Sequence, residues 1–160
     1  SGEEAYSIAI SLAEYPGLGR DWSVWGSDIS MTMLEQARRG IYTTHRARLV
    51  PVHLRKKYLL RGVGLQEGKV AVIGSLKQQV NFDQFNLIDG ALDPQLFDVI
   101  FCRNVLIYFD HNTKQKVIAR LIRKLKPGGY LFTGRSESIH ALEHGLDTLQ
   151  PSVYQKRLIG

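Results

Sequence analysis

The stretch that most constrains the fold is Phe97 to Asp110, FDVIFCRNVLIYFD. Its first half, Phe97-Asp98-Val99-Ile100-Phe101-Cys102, is a short run rich in apolar, β-branched and aromatic residues. That is the pattern of a strand buried on both faces of a parallel sheet. The polar pair Arg103-Asn104 follows, then a second apolar run, Val105-Leu106-Ile107-Tyr108-Phe109, closed by Asp110. A buried strand that delivers Arg, Asn and Tyr at its carboxyl end stands where open α/β sheets bind ligands. A core strand followed by a polar turn accounts for the same residues, and the stretch alone leaves both readings open.

The segments before it alternate between strand and helix. Ser1 followed by Glu4 has the spacing of a capping box, and Ile8 and Leu12 with Ala5, Ala9 and Ala13 give a helical face to about Tyr15. A Ser-Gly turn feeding a helix normally follows a strand, so a preceding strand is expected outside this chain. Ser23 to Asp28 reads as a strand ending in an acid; Ser30 or Thr32 caps a helix from Met33 to Arg39 that stops at Gly40. Asp28 stands 24 positions after Glu4. Nucleotide-binding βαβ units place the acid that takes the ribose hydroxyls at about 20 positions past the glycine turn. The full glycine fingerprint is absent, so a helix-flanking turn Asp fits as well.

Residues 41–61 are basic and partly helical, with Leu54, Tyr58 and Leu59 as an apolar stripe after Pro51. Lys69 to Ile73 and Gln79 to Phe82 read as short antiparallel strands, a small β insertion over about 62–82. Such an insertion exposes edges that can take up a peptide, although a decorative hairpin has the same pattern. Asn86-Leu87 pairs a hydrogen-bonding group with an apolar wall, as an adenine pocket requires, or is a simple turn. Beyond Asp110 come a helix from Thr113 to Leu125, a Lys126-Pro127-Gly128-Gly129 stop, and a buried strand from Tyr130 to Gly134. A polar loop, Arg135-Ser136-Glu137-Ser138, and a closing antiparallel pair joined at Pro151 complete the chain. This order predicts an α/β fold with a parallel-centred sheet.

Composition narrows the classes. A chain of 160 residues suits one domain, and 44% hydrophobic with 22% charged residues is ordinary for a globular one. No apolar run reaches membrane-span length and no signal pattern opens the chain. The one cysteine, Cys102, excludes an internal disulfide and a cysteine-rich zinc site and reads as a buried, inert thiol. These absences point to the cytoplasm. The formal charge of +6 favours an acidic partner, with the densest cluster at Arg46, Arg48, Arg55, Lys56, Lys57 and Arg61. A solvated helix face explains that cluster too. No RNA-binding aromatic signature, zinc-finger spacing or repeat puts nucleic acid first. His140 and His144, four apart, could share a helical face, but no carboxylate lies between them in a metalloprotease pattern and no metal is expected.

Several blocks in register resemble one family. They are Ser1 to Ala9, Gly26-Ser27-Asp28-Ile29, Ala37 to Tyr42, Asn86-Leu87, Phe97 to Asp110, Leu125 to Phe132, and Ser136-Glu137-Ser138. Together they are similar to the CheR-type chemotaxis receptor methyltransferases over nearly the whole chain. The resemblance implies a class I S-adenosylmethionine-dependent methyltransferase fold, Rossmann-like, with a small antiparallel β subdomain inserted. The family's N-terminal helical domain and first strand are not in this sequence. Arg135 stands where a His is common, and Ala5 where a Pro is frequent.

By the same resemblance the cofactor is S-adenosylmethionine, released as S-adenosylhomocysteine. Glu4 would hold the methionine amino group, Asp28 the ribose hydroxyls, and Asn86 and Leu87 the adenine. Arg103 and Asn104 would lie against the cofactor, with Tyr108 and Arg103 nearest the chemistry. The substrate would be glutamate side chains of the cytoplasmic signalling region of chemoreceptors. The β insertion would dock the receptor, in some members through a tethering peptide at its C-terminus. A glutamate is already ionised at neutral pH, so alignment and removal of water carry the reaction rather than a strong base. Two other readings stay open: a methyltransferase of the same fold acting on RNA or another acceptor, and a non-catalytic module that binds cofactor or receptor.

Overall fold

The computed structural model describes residues 1–19, 21–90 and 95–158. The chain forms two compact units, Ser1–Asn86 and Leu87–Gly160.

In the first unit, helix α1 (Glu3–Glu14) lies on a two-stranded parallel sheet of β1 (Val24–Asp28) and β5 (Val80–Gln84), paired from Val24↔Val80 to Asp28↔Gln84. Small residues let the helix approach: Ala9 is completely buried, and Tyr6 packs edge-on against Phe82 with ring centroids 5.6 Å apart. The Tyr6 hydroxyl donates to the Ala37 carbonyl at 2.9 Å, which ties α1 to helix α2 (Met31–Arg39). Burial pushes the Tyr6 phenol above its ordinary value. The caps of α2 are the expected ones: Ser30 Oγ accepts from the Met33 N–H, and Gly40 closes the helix at φ 61°.

The start of α1 differs from expectation. No capping box forms; Gly2 is the N-cap, at φ 91°, and the Ser1 hydroxyl instead donates to the Glu3 carboxylate. A Cβ at Gly2 would come within 2.7 Å of the Ala37 Cβ, so both the backbone angle and the close approach require glycine.

The small antiparallel sheet also has other bounds than 62–82. It consists of β2 (Ile41–Thr43), β3 (Leu59–Arg61) and β4 (Lys69–Val72) in the order β2-β4-β3. Lys69–Val72 therefore pairs with residues that precede it, and Val80–Gln84 is the parallel neighbour of β1, not an antiparallel partner. Between these strands lie the short helices α3 (Thr44–Ala47), α4 (Val52–Tyr58) and α5 (Gly74–Lys77). Two cations of the basic cluster are spent on ion pairs: Arg46 with Glu3 at 2.6 Å and Lys57 with Glu14 at 2.5 Å. The bond from Lys57, and then that from the Tyr58 hydroxyl, hold the Glu14 carboxyl below its usual range.

In the second unit, a four-stranded sheet has the order β6-β7-β9-β8. Strands β6 (Phe97–Cys102) and β7 (Leu125–Thr133) are parallel and joined through helix α6 (His111–Lys124). Strands β8 (Asp147–Gln150) and β9 (Val153–Gln155) form the antiparallel closing pair, with Pro151 in the turn between them. Asp110 caps α6 by accepting from the Thr113 N–H at 2.8 Å, and this bond lowers its carboxyl pKa. Lys156 Nζ donates to the Ile122 and Leu125 carbonyls at the other end of that helix.

Strand β6 is not buried on both faces. Its Ile100 and Cys102 pack into the core with Val117, Ile118 and Leu121 of α6, whereas Val99 and Phe101 are each 41% exposed. Alternation of the pleat sends the two sets to opposite faces. On the open face Phe101 stacks on Phe132 at 4.8 Å. His140 and His144 do not share a helix; both rings stand edge-on to the buried Tyr154.

Candidate active site

Asp28, Asn86 and Asn104 sit at or just beyond the ends of strands. In the first unit Asp28 is the last residue of β1 and is half-buried. Its Oδ1 accepts from the Ser30 N–H at 2.9 Å, so the turn into α2 sets the carboxylate. Among the described residues its second oxygen takes no hydrogen bond. Beside it, β5 ends at Gln84, the register partner of Asp28; the Phe85 N–H donates to the Asp28 carbonyl at 3.1 Å, and half-buried Asn86 follows. The first turn of α1 packs on the middle of β1, where a Cβ at Gly26 would lie 3.5 Å from the Ala5 Cβ. The neighbouring Glu4 is exposed. Asp28 and Asn86 thus stand at the carboxyl edge of one parallel sheet.

In the second unit, half-buried Leu87 packs against the core. Arg103 and Asn104 follow the last residue of β6 and are exposed. Asn104 has φ 59°, a left-handed conformation that non-glycine residues other than Asn and Asp seldom adopt. The expected second apolar run is a 3₁₀ turn over Leu106–Tyr108, in which only Leu106 is buried and Tyr108 is 79% exposed. The loop thus displays Arg103, Asn104 and Tyr108 above buried Leu106, with half-buried Val105 and Phe109 packed against the same core.

One residue of this arrangement had no assigned role in the sequence. Glu137, only 4% exposed, accepts from the backbone N–H groups of Asn104 (2.6 Å), Val105 (2.8 Å), Ile107 (3.3 Å) and Gly134 (2.9 Å). In the sequence it stands within the Ser136-Glu137-Ser138 block, three residues past the glycine that follows β7, with nothing there to give it a partner.

Residues 1–154 match the family described as CheR methyltransferase, SAM binding domain. The chain belongs to this family. The sequence blocks that suggested it are therefore borne out. Among curated relatives, the chemotaxis protein methyltransferase of Salmonella typhimurium is 41% identical over 157 residues, which cover 96% of this chain and 54% of that one. The Escherichia coli chemotaxis protein methyltransferase is 42% identical over the same shares. The chain spans about half the length of these relatives. Among solved structures, PKMT2 from Rickettsia typhi in complex with AdoHcy matches with a TM-score of 0.48 and 16% identity, over 81% of this chain and 19% of that one.

The polar groups at the strand ends suit the ligand in the family's description. S-adenosylmethionine presents two ribose hydroxyls and an ammonium group, which need acceptors, and an adenine that needs one polar and one apolar neighbour. Asp28 has a carboxylate oxygen with no hydrogen bond among the described residues, beside a strand end. Acid, amide and strand end recur in the place where open α/β sheets receive ligands. Among the described residues no cluster of three or more His, Cys, Asp or Glu could hold a metal.

Proposed function

We propose that this chain is the catalytic part of a protein-glutamate O-methyltransferase, spanning residues 1–160. It transfers a methyl group from S-adenosylmethionine to glutamate side chains of the cytoplasmic signalling region of chemoreceptors. The observation that carries the reading is the family match over residues 1–154. The strand-end positions of Asp28 and Arg103-Asn104 support it. In this reading Glu4, Asp28, Asn86, Leu87, Arg103 and Asn104 hold the cofactor, and Arg103 and Tyr108 serve the reaction. The setting is the cytoplasm.

Bound there, S-adenosylmethionine supplies a methyl group on a sulfonium, an electrophile that needs no further activation. The protein's share is alignment. Asp28 accepts from the ribose hydroxyls, and the guanidinium of Arg103 holds the acceptor carboxylate, which is ionised at neutral pH. The Tyr108 phenol, exposed on its 3₁₀ turn, orients the acceptor by donating to it. Exclusion of water strengthens each contact. The sheet β2-β4-β3 is the docking element for the receptor; among the described residues its outer strand β3 pairs with β4 alone, so a tethering peptide can add along the other edge.

Methyl transfer tests the reading. With S-adenosylmethionine labelled on its methyl group, base-labile label is expected on a receptor signalling fragment, because glutamyl methyl esters hydrolyse in base. Label on RNA would replace the substrate class, and a chain that binds S-adenosylhomocysteine but labels nothing would be a non-catalytic module.

A further inference from the structure

The loop that carries Arg103, Asn104 and Tyr108 is anchored on the core by Val105, Leu106 and Phe109, but its first backbone N–H groups point to one acid. Three of its side chains, Arg103, Asn104 and Tyr108, are exposed, and Asn104 sits in a left-handed conformation. Such a loop turns successive N–H groups toward one point and forms a concave anion site. Here the site is filled from within the chain. Glu137 Oε2 takes the N–H groups of Asn104 and Gly134, and Oε1 takes those of Val105 and Ile107. An ionised carboxylate is acceptor-only, so it can satisfy all four donors. An amide of the same shape cannot, because either oxygen replaced by NH₂ would meet two N–H donors. Gly134 completes the cradle: a Cβ there would fall on Glu137 Oε2.

We propose that Glu137 is a positioning residue for methyl transfer. Its buried carboxylate sets the backbone of residues 103–108 and thereby the presentation of Arg103, Asn104 and Tyr108 to cofactor and acceptor. This rests on the cofactor-binding reading above.

Two readouts on the same chain separate the two ideas: amide hydrogen exchange by NMR and calorimetric titration of S-adenosylhomocysteine. Glu137→Gln keeps volume and shape. It is expected to speed exchange at Asn104, Val105 and Ile107 by about tenfold or more relative to the amides of α6, and to raise the Kd by about tenfold, as expected for losing hydrogen bonds to a charged group. Gly134→Ala, which displaces the carboxylate while leaving the acid in place, should do the same, and it carries both measurements if Glu137→Gln does not fold. Unchanged exchange at the three amides, or equal acceleration throughout α6 and β7, overturns the clamp. Faster local exchange with an unchanged Kd overturns the positioning role. A wild-type chain with no affinity for S-adenosylhomocysteine sinks the cofactor reading instead, and the exchange data alone then decide the clamp.

Discussion

At the residue scale, Asp28 and Glu137 are both acids near the end of a parallel strand, yet only the first was assignable from the sequence. Asp28 closes a recognisable strand just before a recognisable cap, so local pattern suffices to place it. Glu137 gains its meaning from amides 30 to 33 positions away, which no local pattern encodes. The two should also respond differently to substitution. Asp28→Ala removes the carboxylate and with it one backbone contact, that from the Ser30 N–H. It should weaken S-adenosylhomocysteine binding about tenfold or more, since a hydrogen bond to a charged group is worth about 1.5–3 kcal/mol, with little change in fold. Calorimetry that returns the wild-type affinity would remove Asp28 from the ribose. Ser1 shows the opposite failure of local pattern: its spacing to Glu4 fits a capping box, but the left-handed Gly2 takes the cap position.

At the element scale, helices were more legible than strand partners. Caps are local, so Ser30 and Gly40 bounded α2 and Asp110 began α6 as their chemistry requires. Ser30→Ala tests how separable the cap is from the site. The variant should lose about 1 kcal/mol in urea unfolding, as N-cap removal typically does. Its S-adenosylhomocysteine affinity should stay unchanged, because Asp28 is held by the Ser30 backbone N–H and not by the hydroxyl. Loss of affinity matching that of Asp28→Ala would show that cap and site act as one. Strand pairing, by contrast, was misassigned for Val80–Gln84. A strand of that length alternates alike in parallel and antiparallel settings, and only its fit beside β1 under Tyr6 decides between them.

At the scale of the whole molecule, titrating groups in both units bound a pH window of stability. Burial chiefly raises the phenol pKa values of Tyr6, Tyr42 and Tyr58, all in the first unit; Glu14 adds to this at Tyr58, and the neighbouring Tyr6 and Glu3 at Tyr42. A group whose pKa is higher folded than unfolded stabilises fully below the unfolded value and ceases to do so as pH rises past it. Stability should therefore fall above the ordinary phenol value of 10.0. His144 has the opposite sign. Burial, then the nearby His140, lowers its pKa, and its Nδ1 accepts from the Leu146 N–H at 3.0 Å beside the Tyr154 ring. Its contribution is complete above the ordinary 6.5 and is lost as pH falls from there. Urea unfolding from pH 5 to 11 should show both limbs, with the upper part of the acid limb flattened in His144→Gln; a limb unchanged by that variant would discount His144. The sequence by itself determined the family, the α/β order and the strand-end residues Asp28, Arg103 and Asn104, because these follow from local periodicity, capping chemistry and blocks in register. Only the tertiary structure decided that β5 joins β1, that the antiparallel sheet spans Ile41 to Val72, and that Glu137 fills the amides of the Arg103–Tyr108 loop. Each of these joins distant residues through hydrogen bonds or packing, and such contacts exist only once the chain has folded.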